Sequence, residues 1–80
     1  MHTYDIEYTD TFSGDANYSW VRRYSLTVPE SISDLALVRR AKALAGLTGV
    51  KCKKQDYGSL IALYPYGSCT VLFITYTEEA

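Results

Sequence analysis

The alternation of apolar and acidic side chains over residues 3–9 constrains the fold more than any other feature of the sequence. Three apolar side chains fall on one side of an extended chain, and the two between them, Asp5 and Glu7, fall on the other. A repeat of two residues is the period of a β-strand with one buried and one exposed face. Residues 3–9 therefore predict an antiparallel strand that covers a core with one face only.

A second strand is predicted over residues 18–28, where Trp20 and Tyr24 begin an apolar face that Arg22 interrupts. The intervening residues 10–17 are rich in Asp, Ser, Gly and Asn, which are typical of turns. These segments together predict a hairpin with a long loop, and the proline that follows residue 28 ends the second strand.

One stretch of the chain has helical periodicity. Ser31 is placed to be its N-cap, with Asp34 three residues later in a capping-box arrangement. The helix is expected to run to about Ala45, and Gly46 then suits the position just after a helix end. At helical spacing its apolar stripe comprises Leu37, Val38, Ala41, Leu44 and Ala45.

Three further strands are predicted over residues 50–56, 59–64 and 69–77. The last two are apolar on both faces, which places the final strand inside the sheet. The 80 residues hold one domain, residues 1–80. The predicted fold is α+β: a mostly antiparallel five-stranded sheet in the order β-β-α-β-β-β, with one helix on one face and strand order 3-4-5-1-2.

The residues offer little material for catalysis. His2 is the single histidine and lies beside a terminus, so Ser-His-Asp or Cys-His chemistry has poor support. One histidine and two cysteines cannot complete a four-ligand zinc site without carboxylates. No phosphate-binding glycine motif is present. We therefore expect no catalytic residue, no cofactor, no metal and no enzymatic activity.

Cellular context is also constrained by the sequence. No apolar run is long enough to cross a membrane, and the first residues lack the pattern of a signal peptide. A protein in the cytoplasm is therefore expected, with Cys52 and Cys69 as free thiols. A disulfide stays open as an alternative, and an exposed Cys69 or a free sheet edge leaves a dimer open.

Charge is distributed in blocks. Residues 1–15 and 56–80 are acidic, whereas residues 16–55 contain all eight basic side chains of a chain whose net charge is −1. The candidate partner-binding residues are Arg22, Arg23, Arg39, Arg40, Lys42, Lys51, Lys53 and Lys54. If the helix and third strand are neighbours, their cations form one patch for phosphates or for an acidic protein surface.

Two other surfaces are candidates for binding. Tyr18 and Trp20 stand beside two arginines, a combination that suits base stacking and equally suits an ordinary strand face. The alternative acidic surface comprises Asp5, Glu7, Asp10 and Asp15. Such a surface would suit a basic partner.

Most of the chain resembles a family of small proteins carried by bacteriophages and prophages. The resemblance lies in residues 8–23, 37–42, 47–52 and 62–65, and it extends to type I-C anti-CRISPR inhibitors. It implies a phage-borne inhibitor in the cytoplasm of the infected bacterial host. Such a protein binds the Cascade surveillance complex and blocks its binding to target DNA by occlusion. The alternative hypothesis is a small nucleic-acid-binding accessory protein that uses the basic helix-strand patch.

Overall fold

The computed structural model describes residues 1–77, which form five strands and one helix. The elements are β1 (His2–Phe12), β2 (Asp15–Val28), α1 (Asp34–Leu44), β3 (Cys52–Asp56), β4 (Leu60–Pro65) and β5 (Thr70–Thr77). Every strand pairing is antiparallel, and the strands lie in the order β2-β1-β5-β4-β3. The predicted α+β class, element order and strand order are confirmed.

Helix α1 packs on one face of the sheet. Its buried residues Leu37 and Ala41 belong to the same core cluster as Ile6 of β1 and Ile74 of β5. The cluster also contains Val28, Ala45, Leu47, Ile61, Leu63 and Leu72. The alternation predicted for β1 places Ile6 in this core, while Asp5 stays exposed on the opposite face.

The opposite face, which carries no helix, is also buried at its centre. Thr9, Ala62 and Val71 are each 0% exposed and lie outside the helix-side core cluster. Gly14 and Asp15, at the tip of the β1–β2 hairpin, line a cleft together with residues of β3 and β4. The hairpin tip therefore reaches across this face to β3 and β4.

The prediction of a long hairpin loop over residues 10–17 is wrong. Strands β1 and β2 continue to a two-residue turn at Ser13 and Gly14, whose φ angles are 55° and 86°. Positive φ at both central residues is the geometry of a type I′ turn, which matches the twist of paired strands. A register shift between Thr9 and Thr11 bends β1 on the way to the turn.

The helix begins two residues later than predicted. Ser33, not Ser31, is the N-cap, and its hydroxyl oxygen accepts the backbone N–H of Ala36 at 3.1 Å. Ser31 instead belongs to a turn in which the N–H of Ile32 donates to the carbonyl of Pro29 at 3.1 Å. Asp34 is consequently the first helical residue, where its charge suits the helix dipole without a capping box.

The helix ends as the sequence predicts. Gly46 has a φ of 75°, which is costly for residues with a Cβ atom, and the N–H of Leu47 donates to the carbonyl of Lys42 at 2.8 Å. Leu44, a member of the predicted apolar stripe, is 38% exposed, whereas Leu37 and Ala41 of the same stripe are buried. Among residues 1–77 no helix combines the length and apolar character needed to cross a membrane.

Candidate binding surfaces

The basic side chains of β3 lie on two faces of the sheet. Lys54 is paired with the core residue Leu63, which places it on the helix side. Lys53 is the preceding residue and takes the opposite side, where it lines the cleft beneath the hairpin tip. Lys51 precedes the strand and is exposed. These three lysines therefore do not form one row.

The C-terminal half of α1 lies close to the start of β3. Burial raises the pKa of Cys52 above its ordinary value of 9.0, and the nearby positive charge of Lys42 acts in the lowering direction. Arg39 and Lys42 line one cavity of about 290 Å³ at the end of the helix. Arg40 is exposed and does not line that cavity. The structure thus brings part of the predicted basic patch together.

The two arginines of β2 are held in different local environments. Arg23 donates from Nε to the carboxylate of Glu7 at 3.0 Å, on the face without the helix. The guanidinium carbon of Arg22 lies 5.8 Å from the ring centroid of Trp20, in a cation–π arrangement. Neither arginine extends the surface formed by the helix and β3.

Tyr18 and Trp20 do not form a single stacking platform. The hydroxyl of Tyr18 donates to Glu7 at 2.6 Å, whereas the ring of Trp20 meets Tyr8 edge to face with centroids 5.3 Å apart. Glu7 and Tyr8 are consecutive strand residues and therefore face opposite sides. The φ of 55° at Tyr18 breaks the regular alternation that would place it beside Trp20.

Two members of the acidic candidate surface are engaged inside the hairpin. Glu7 accepts hydrogen bonds from Tyr18 and Arg23. The carboxylate of Asp10 accepts bonds from Ser19 and Asn17, which lower its pKa from 3.8 to about 2. The two remaining candidates, Asp5 and Asp15, are exposed. The acidic surface is therefore smaller than the sequence suggests.

The cleft beneath the hairpin tip is the second concave feature relevant to binding. It has a volume of about 460 Å³ and is lined by Gly14, Asp15, Lys53, Gln55, Tyr57 and Tyr64. Asp15 and Lys53 bring opposite charges to its walls. Because neither sign dominates, the cleft has no clear preference for an anion or a cation.

The remaining reactive side chains are dispersed. The ring of His2 contacts Tyr76 through an Nδ1–hydroxyl hydrogen bond of 3.1 Å. Cys52 is half-buried and Cys69 is exposed, and both are free thiols. Among the described residues, no group of three or more His, Cys, Asp or Glu side chains is arranged to hold a metal ion.

Sequence reasoning missed Thr48 and Gly49 as possible binding residues. Neither was among the candidate partner-binding residues, yet both line the cavity with Arg39 and Lys42. The signal available in the sequence was their position just after a helix whose last turns are basic.

Comparison with known proteins adds no relative. No family model, curated protein or solved structure matches the chain significantly.

Proposed function

We propose that the chain is a non-catalytic binding protein of the anti-CRISPR type. In this proposal it acts in the cytoplasm of an infected bacterial host, where it binds type I-C Cascade and blocks its access to target DNA by occlusion. The resemblance of residues 8–23 and 37–42 to phage-borne proteins supports the class of function. Occlusion requires a complementary surface and no reaction.

The observation that carries the choice of surface is the convergence of Arg39 and Lys42 on one cavity. Neither side chain takes part in a salt bridge among residues 1–77. Cations without an ion-pair partner within the described residues can pair with an acidic surface without first breaking such a pair. By contrast, Glu7 and Asp10 already use their carboxylates within the hairpin. The basic helix surface is therefore the preferred interface.

The test is capture of purified type I-C Cascade by the purified chain, followed by measurement of target DNA binding by the captured complex. We expect capture with loss of DNA binding. Charge reversal of Arg39 and Lys42 should abolish capture, whereas reversal of Arg22, which lies against Trp20, should preserve it. Wild-type capture that leaves DNA binding intact would refute occlusion. Equal capture by both variants would refute the choice of surface.

A second candidate is a small nucleic-acid-binding accessory protein. It is favoured by cations of α1, of β3 and of the residue just before β3 that form no salt bridge within the described residues: Arg39, Arg40, Lys42, Lys51, Lys53 and Lys54. Phosphate contacts would make affinity fall steeply with salt on any DNA sequence. Double-stranded DNA as a parallel bait separates the candidates, since the inhibitor is expected to show no affinity for DNA alone.

A further inference from the structure

The cavity at the C-terminal end of α1 has the features of an anion receptor. Arg39 and Lys42 are three residues apart, so their side chains lie on the same side of the helix. Ala43, Thr48 and Gly49 complete the lining. Lys42 is half-buried, and Thr48 is exposed, with a hydroxyl able to donate a hydrogen bond. Two cations and a hydroxyl donor thus meet around one space.

The helix end itself does not cancel this positive character. A helix C-terminus normally presents free carbonyl oxygens with partial negative charge. Here the carbonyl of Lys42 accepts the N–H of Leu47 at 2.8 Å, and that of Ala43 accepts the N–H of Gly46 at 3.2 Å. These two bonds form a Schellman motif, which satisfies carbonyls at the rim of the cavity. The full charges of Arg39 and Lys42 therefore dominate.

The size of the cavity restricts its occupant. A volume of about 290 Å³ lies at the small end of the roughly 300–1,000 Å³ range of ligand pockets, which suits a single side chain. The methyl group of Ala43 and the backbone of Gly49 offer contact to a short aliphatic stem. An arginine fork and a lysine ammonium together match the two oxygens of a carboxylate.

We propose that this cavity binds the carboxylate side chain of an aspartate or glutamate in an acidic segment of a partner protein. Arg39 and Lys42 pair with its two oxygens, and the hydroxyl of Thr48 donates a third bond. The choice of a protein partner rests on the proposed function, and the preference for a carboxylate rests on the cavity itself.

The probe is a short capped polyglutamate peptide, titrated into the isotope-labelled chain while backbone amide NMR shifts are recorded. We expect saturable shifts centred on Thr48 and Gly49. The variants Arg39→Gln and Lys42→Gln should each weaken peptide binding by about tenfold, since each removes a charged hydrogen-bond partner. Arg40→Gln is the matched control, because it removes the same charge from the same helix outside the cavity. Unchanged melting temperatures would establish that all three variants fold.

Equal weakening in all three variants would overturn the proposal, because it would mean diffuse attraction to a basic helix. Absence of saturable shifts would overturn it as well. A single-stranded oligonucleotide that shifts the same amides more strongly than the peptide would assign the cavity to phosphate instead. The titration contains no Cascade, so its outcome is independent of the capture experiment. Peptide binding without Cascade capture would leave the cavity assignment standing and refute the proposed partner.

Discussion

Ser19 binds both oxygens of the Asp10 carboxylate across the β1–β2 hairpin. Its backbone N–H donates to Oδ1 at 3.0 Å, and its hydroxyl donates to Oδ2 at 2.5 Å. The amide of Asn17 donates a further bond to Oδ2 at 3.0 Å. Hydrogen bonds to the charged form of a carboxyl group favour that form. The ionised carboxylate of Asp10 therefore stabilises the bent part of the hairpin.

This arrangement predicts an acid-dependent loss of stability. The pKa of Asp10 is lowered from 3.8 to about 2. Its stabilising contribution is therefore fully present above about pH 3.8 and disappears as the pH falls through about 2. The melting temperature of the wild type should fall more steeply over this interval than that of Asp10→Asn. Asp5→Asn is the control, and a slope changed equally by both substitutions would contradict the prediction.

The titration of Tyr18 should respond in opposite directions to its two charged neighbours. The hydrogen bond to Glu7 is the largest cause of a pKa raised above 10.0, and the charge of Arg23 acts in the lowering direction. Glu7→Gln should therefore lower the pKa of Tyr18, and Arg23→Gln should raise it. Ring-carbon NMR shifts of Tyr18 followed against pH provide the measurement. Shifts of the same sign in both variants would be inconsistent with the geometry.

The two thiols should differ in reactivity. Cys52 is half-buried, burial raises its pKa, and its Sγ donates a hydrogen bond to the carbonyl oxygen of Val50 at 3.6 Å. Because the thiolate is the nucleophile, iodoacetamide should label the exposed Cys69 first, as followed by mass spectrometry. In a Cys69→Ser background, Lys42→Gln should slow labelling of Cys52 further, since it removes the charge that lowers that pKa. Faster labelling of Cys52 than of Cys69 would contradict this order.

Two leucines of α1 should differ strongly in how much they contribute to the free energy of unfolding. Leu37 is 2% exposed in the core, whereas Leu35 is 61% exposed on the same helix. Leu37→Ala should lower the free energy of unfolding by about 2–5 kcal/mol, and Leu35→Ala should change it by no more than about 0.5 kcal/mol. Urea denaturation measures both. Similar losses in the two variants would mean that the helix packs through a different face.

The fold was largely predictable because, in its central strands and its helix, the spacing of apolar residues and the amino-acid composition indicate the same secondary structure. The alternation of β1 and the two-sided apolar character of β5 were enough to place these strands side by side. Gly46 marked the helix end because few other residues adopt its φ of 75° at low cost. In each case a local sequence pattern is compatible with only one low-energy backbone conformation.

The bent part of the hairpin was not predictable in the same way. The strand residues that flank the turn, 10–12 and 15–17, resemble a loop in composition. The register shift after Thr9 and the positive φ of Tyr18 then break the alternation that identifies a strand. These two irregularities also determine which side chains form hydrogen bonds with Glu7 and Asp10. For this reason the candidate acidic surface could not be judged from the sequence.

The adjacency of the first and last strands has a consequence for how the chain folds. Thr3 is paired with Thr77, and this ladder continues to the pair of Asp10 with Thr70. Contacts between residues so distant in the chain are slow to form, because the entropy cost of closing a large loop comes before the contacts can stabilise the sheet. During synthesis, β1 and β2 leave the ribosome before β5, so β1 lacks its second neighbouring strand until β5 emerges. Until then the inner edge of β1 is open to aggregation, and the sheet is complete only after β5 has emerged.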